Sequence, residues 1–267
     1  MLGIGYTSGM LLGFGTMNSI CLGGMLAMSS TTIIIKVFDE LKIKEKYTEL
    51  VFGTLVIQDI VGIFMMVILS TISARQNISG VEIMGSLLLM VLYLIIWLVF
   101  GIYLLPTFFN KTIKLMNDEM LLVVSIGICF GMVLLADNLG FSTALGSFLA
   151  GSLLAGTVHV ERVETLTKGV KDLFGAVFFI SVGMMVQPEM IAKYIIPIVV
   201  IILVTLVGKL VFNSIGMLLS GQSMPNAVSS GFALAQIGEF AFIIASFGIN
   251  LGIIDEYIYP IVVAVSV

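Results

Sequence analysis

Charge is what this sequence has least of. Lys, Arg, Asp and Glu make up 10% of its 267 residues and hydrophobic residues 59%, whereas a soluble domain carries about a quarter charged residues. A water-soluble chain is thereby excluded. Alternation of period two sustained over about ten residues is also missing, which argues against a membrane β-barrel. There is one histidine, His159, in a polar loop, so neither a metal-ligand cluster nor a nucleophile–histidine pair is available. The two cysteines, Cys21 and Cys129, lie far apart in apolar segments and read as packed free thiols, not as a disulfide or metal site. No basic stretch precedes the first hydrophobic run, against a cleaved signal peptide. No Gly-rich phosphate loop has the strand-to-helix setting it needs, so no nucleotide site, no cofactor and no nucleic-acid partner are expected.

What is present is a series of apolar runs, most of them long enough for a helix to cross a hydrocarbon core of about 30 Å. They cover 2–16, 18–37, 49–73, 82–106, 119–138, 140–158, 172–187, 194–219, 226–250 and an incomplete run from 257. The first is short and Gly-rich and the last stops at Val267, so both ends are expected to be cut and the chain to be a partial exchanger domain, 1–267, of a longer transporter. Basic residues orient the spans. Lys36, Lys42, Lys44, Lys46, Lys111, Lys114, Arg162, Lys168 and Lys171 fall on one side, and only Arg75 and Lys193 on the other. The nine-residue side is cytoplasmic.

Two helices contrast in character. Segment 82–106, with Trp97 and Tyr103, is bulky and apolar all round, as a lipid-facing or scaffold helix is. Segment 140–158 is rich in small residues, and Ser147, Gly151 and Ala155 at i, i+4 and i+8 offer a face for close backbone approach. In the loop 157–171, Val160, Val163, Leu166 and Val170 recur at helical spacing and predict an amphipathic surface helix.

Ionisable groups at membrane depth are expensive and rank first as functional candidates. Asp59 lies mid-span in TLVIQDIVGIFMM beside Gln58; a structural ion pair would explain it, and so would an ion or proton site to which Gln58 adds a neutral ligand. Ser29, Ser30, Thr31 and Thr32 form four consecutive hydroxyl residues at mid-span. They suit an unwound stretch of a discontinuous helix, whose freed backbone groups they would cover. Gln236, Gly238 and Glu239 form a second polar break late in the chain, with Gly tolerating the backbone angles a break needs. Paired breaks of this kind are the signature of inverted repeats around a binding site. Lys209 is about ten residues from either end of its segment, too deep to snorkel. Its partner would be Asp59, Glu239 or broken-helix carbonyls. Asp137 and Asp172 lie near segment ends and read as interfacial.

These motifs carry a resemblance. LAMSSTTIIIKVFDE followed by FGTLVIQDIVGI resembles the crossing-helix and carboxylate-helix pair of the monovalent cation:proton antiporter-2 family, and the Gln–Asp pair is of the Kef potassium/proton type. GFSTALGSFLAGSLLAGT, LFGAVFFISVGMMV, the lysine helix and QIGEFAFII follow in the family's order. The resemblance implies an all-α polytopic membrane protein with the sodium/proton-antiporter-like fold: inverted repeats, a dimerisation domain and a core in which two discontinuous helices cross beside a carboxylate. It further implies that Asp59 binds a potassium or sodium ion and a proton in competition, with Gln58, Ser29, Ser30, Thr31 and Thr32 around it. Lys209, Gln236 and Glu239 would stabilise the core. The loop His159–Lys168 would match the regulatory loop of Kef-type proteins. The full-length protein would be a homodimer in a bacterial inner membrane. The family's first helices and any cytoplasmic nucleotide-binding domain have no counterpart in these residues.

The expected function is therefore secondary active antiport, not enzymatic catalysis. A single carboxylate next to a neutral Gln predicts one-for-one, electroneutral exchange by alternating access. A channel gated by the cytoplasmic loop, or an ion-sensing receptor piece, would also place a carboxylate at membrane depth.

Overall fold

In the computed structural model of this chain the described residues are all except 44, 74–83, 86–87, 89–90, 93–94, 98, 100, 102, 104–106, 108–110, 113–115, 140–142, 158–159 and 267. His159, Arg75, Lys44, Lys114 and much of segment 82–106 lie outside them. Among the described residues every regular element is helical, as the apolar runs require, since a helix satisfies its backbone polar groups internally in lipid. The chain divides into two units, Met1–Leu69 with Val182–Val267, and Ser70–Ser181.

The first unit begins with α1 (Leu2–Leu11) and α2 (Thr16–Ala27). The turn between them holds Gly13 and Gly15 at φ of 78° and 77°, a left-handed conformation that glycine adopts without strain. The two helices touch backbone to backbone: a Cβ on Gly23 would lie 2.4 Å from the Leu2 carbonyl oxygen. The expected segment 18–37 is interrupted. Helix α2 stops at Ala27, Met28–Ser30 run extended, and α3 covers Thr31–Glu40. Helix α4 (Lys46–Ser73) follows and contributes its residues to Leu69.

After a gap that belongs to the other unit come α8 (Pro188–Lys193), α9 (Ile195–Leu219), α10 (Met224–Ala233), α11 (Glu239–Asn250) and α12 (Ile258–Ser266). The expected segment 226–250 is thus broken too, between Ala233 and Glu239. Residues Cys21, Leu22, Met25 and Leu26 of α2 are fully buried, as are Ala241, Ile244 and Ala245 of α11 and Ile258, Ile261 and Val262 of α12. A second apolar cluster joins Ile34 and Phe38 of α3 to Val51 and Leu55 of α4, with Met217, Ala227 and Leu234.

In the second unit α5 (Asp118–Asn138) packs on α6 (Thr143–Ala155), and α7 (Val160–Met184) begins there. The amphipathic expectation holds, with Val163 and Leu166 packed on Leu121 and Leu154. That stretch does not end near 171, however. With no proline between 160 and 184, it continues as one helix into the predicted segment 172–187. The small-residue face also differs from expectation. The close approach is at Gly146, where a Cβ would lie 2.6 Å from the Met132 carbonyl oxygen, while Gly151 faces open space. Leu145, Leu149 and Ala150 are buried beside Gly146. These large apolar side chains decide which face is covered, and they are offset from the 147–151–155 stripe.

Among the described residues four stretches are long and apolar enough to cross a membrane: Thr16–Glu40, Lys46–Leu69, Asp118–Asn138 and Ile195–Leu219. Their outward faces carry side chains such as Val123, Phe130, Leu203 and Val207, an apolar surface that suits lipid and not water.

Candidate functional site

Both breaks in the first unit meet, and the reason is an accounting of backbone groups. An interrupted helix frees carbonyls and amides that lipid cannot satisfy. The Met28 carbonyl, at the C-terminal end of α2, accepts from the Gly238 amide at 3.1 Å. The Ser29 hydroxyl donates to the Leu234 carbonyl at 2.9 Å, and the Gln236 side-chain amide donates to the Ser30 carbonyl at 3.2 Å. The Ser29 amide donates to Gln58 Oε1 at 2.9 Å. Ser30 Oγ accepts from the Ile33 amide at 3.2 Å and so caps α3, a usual role for serine at that position.

Gly238 lies at the closest point. A Cβ there would be 2.5 Å from the Ser29 carbonyl oxygen. Its φ is −92°, an ordinary extended value. Glycine is needed here for close approach, not for the unusual backbone angles expected from the sequence.

Lys209, on α9, is fully buried. Its Nζ donates to the Met28 carbonyl at 2.5 Å, to Ser29 Oγ at 2.9 Å and to the Gln236 carbonyl at 2.6 Å. An ammonium has three N–H groups, and all three are placed. Of the alternatives open to it from sequence, the broken-helix carbonyls are its partners; neither Asp59 nor Glu239 is. The cation therefore sits where carbonyls of the two breaks converge, the end of a half-helix that favours positive charge.

The acids sit at the other helix ends. Thr31 and Thr32 open α3, and Glu239 opens α11, positions that favour negative charge. Thr32 Oγ1 donates to Glu239 Oε1 at 2.9 Å. Thr31 Oγ1 lies 3.4 Å from Asp59 Oδ2, long for a hydroxyl–carboxylate bond. Asp59 and Glu239 are half-buried and have no ion pair among the described residues. The run of four hydroxyls thus divides: Ser29 and Ser30 close the crossing, and Thr31 and Thr32 face the two carboxylates.

Comparison with known proteins identifies the family. The family model described as "Sodium/hydrogen exchanger, transmembrane" matches residues 1–267. The chain belongs to the sodium/hydrogen exchanger family. Among curated relatives, the K(+)/H(+) antiporter subunit KhtU of Bacillus subtilis is 27% identical over 94% of this chain and 62% of its own length. The K(+) efflux antiporter 4 of Arabidopsis thaliana is 27% identical over 90% of the chain and 41% of its own length. The Na(+)/H(+) antiporter of Enterococcus hirae is 26% identical over 98% and 69%. The chain therefore spans roughly half the length of several curated relatives it matches.

One polar cluster was not legible in the sequence. Asn18 Nδ2 donates to Asp255 Oδ2 at 2.6 Å and to the Phe14 carbonyl at 2.8 Å, and its Oδ1 accepts from the Asp255 amide at 3.0 Å. A lone Asn in an apolar helix was the available signal. A cavity of about 250 Å³ lined by Gln187, Asn250, Glu256 and Tyr259, among others, takes in none of the residues at the crossing.

Proposed function

We propose that residues 1–267 are part of a transmembrane domain that exchanges a potassium or sodium ion for a proton, with Asp59 as the shared carrier. The observation that carries this is the separation of charges at the crossing. Lys209 has all three donors on Met28, Ser29 and Gln236, which leaves Asp59 a half-buried carboxylate with one loose contact to Thr31. A carboxylate at membrane depth without a basic partner needs a mobile counter-ion, and a proton and a monovalent cation are the two it exchanges. Thr31 lies against it, and Gln58, Ser29, Ser30 and Thr32 form the surrounding wall, while Lys209 and Gln236 hold the two breaks together. Alternating access around this site moves one charge in each direction, so exchange is electroneutral. The choice of cation rests on cavity size and ligand number; relatives with potassium and with sodium in their names match alike.

The setting proposed is a homodimer of the full-length protein in a bacterial inner membrane. Asp59→Asn in the full-length protein, assayed as cation-driven proton movement in liposomes, tests the carrier. Loss of exchange with normal membrane accumulation is expected. Cation conduction that persists without proton coupling would instead favour a channel.

A further inference from the structure

Building on Asp59 as carrier, one feature of the crossing is left over. Glu239 Oε2 and Gln236 Oε1 are both buried and have no hydrogen-bond partner among the described residues. The other Glu239 oxygen is held by Thr32 at 2.9 Å, and the neighbouring residue, Thr31, lies 3.4 Å from Asp59. Two carboxylates thus lie against adjacent residues at the start of one helix, and the Lys209 ammonium bonds to neither.

We propose that Glu239 is a second carboxylate of the cation site, with its free oxygen Oε2 directed to the bound monovalent ion. A buried carboxylate oxygen without a partner, as Glu239 Oε2 is, carries a large desolvation penalty, which an ion between it and Asp59 relieves. The charge count fits a single guest. With Lys209 positive, Asp59 and Glu239 together leave one negative charge in excess. One potassium or sodium ion, or one proton on Asp59, brings the site to zero. A site with Asp59 alone would instead be neutral when empty, and positive when loaded with either guest, and would attract a cation weakly. Asp59 on α4 is the charged group whose field reaches Glu239, while Lys209 on α9 spends its three donors on Met28, Ser29 and Gln236, so among the described residues the charge of Glu239 acts on the guest and not through a separate ion pair. Gln236 Oε1 supplies a neutral oxygen on the same side.

The test separates charge from architecture. Glutamine at this position still accepts from Thr32 but has no charge. In full-length protein reconstituted in liposomes, Glu239→Gln is expected to raise the KM for potassium or sodium chloride, each assayed alone, by about tenfold or more while kcat stays within about twofold. If turnover is too slow to fit, the cation concentration giving half-maximal thermal stabilisation replaces KM. An unchanged cation affinity in Glu239→Gln, with Asp59→Asn inactive, overturns the role of Glu239 and leaves the Asp59 carrier standing. Wild-type exchange in Asp59→Asn overturns both. Should Glu239→Gln fail to accumulate in the membrane, Glu239→Asp carries the test. It keeps the charge and shortens the reach to Thr32, so a KM within about threefold of wild type supports the proposal, and a rise of about tenfold or more overturns it.

Discussion

Lys209 Nζ lies 2.5 Å from the carbonyl oxygen of Met28, the residue at which α2 ends. The same nitrogen reaches the Gln236 carbonyl in the second break, so one side chain from α9 ties both interrupted helices. Lys209→Met keeps the volume and removes all three donors. The Gln236 carbonyl then loses its donor in a buried place, and Met28 keeps only the Gly238 amide. Orphaning a buried acceptor costs about 1–3 kcal/mol. The expected outcome is a lower melting temperature in detergent together with loss of exchange. A variant that melts like wild type would show that the crossing holds without the lysine.

Gly238→Ala tests the crossing by bulk alone. The added methyl would meet the Ser29 carbonyl oxygen at 2.5 Å, and the obstacle is backbone, which cannot rotate away. Overpacking of this kind costs about 1–3 kcal/mol, and the upper end is expected. Gly151→Ala is the matched control, since nothing lies within 4 Å of a Cβ there. It should stabilise or leave the melting temperature alone, because alanine is the better helix former. Similar melting curves for the two variants would contradict the close approach.

At Asn18 the stake is a loop. Its Oδ1 accepts from the Asp255 amide and its Nδ2 donates to Asp255 Oδ2, fastening the start of α2 to the residues before α12. Tyr257 adds to this join, edge-on to Phe14 and stacked on Tyr194 with ring centroids 5.5 and 5.4 Å apart. Asn18→Ala leaves the Asp255 amide without its acceptor, at a cost of about 1–2 kcal/mol. Faster hydrogen exchange across 251–257, with cation KM unchanged, is the expected result. Unchanged protection there would show that the aromatic stack suffices.

Much of the site was legible because lipid makes polar residues conspicuous. Asp59, Lys209, Ser29–Thr32 and Gln236–Glu239 stand out of apolar runs, and each break overlaps its polar run but begins upstream of it, at Met28 and Leu234, with Thr31, Thr32 and Glu239 already helical. Pairings were not legible. Sequence leaves Lys209 free to bond acids or carbonyls, and only the meeting of Met28 with Gln236 decides for carbonyls. Met28 and Leu234 act through their backbones, which no side-chain pattern reports. The join between the amphipathic stretch and segment 172–187 was missed because a change of polarity does not end a helix when no breaker residue follows. The face of α6 was misjudged because small residues allow close contact, while the burial of Leu145 and Leu149 determines where it occurs.

Gln58→Glu separates shape from charge beside the proposed carrier, Asp59. Gln58 Oε1 accepts from the Ser29 amide at 2.9 Å, and a carboxylate oxygen can take the same bond. The crossing should therefore survive, whereas Gln58→Leu strips that amide of its acceptor and should lower stability by about 1–3 kcal/mol. What changes in Gln58→Glu is the number of acids. Two adjacent carboxylates repel when both are charged, so the site holds one more proton on its inward journey than the native Gln–Asp pair does. Two protons then enter for one cation leaving, a net inward positive charge. Native protein on a solid-supported membrane should give no steady current under a pH gradient, and Gln58→Glu should give one. A current from the native protein would end the one-for-one assignment, and its absence from Gln58→Glu would show that the second acid does not join the carrier.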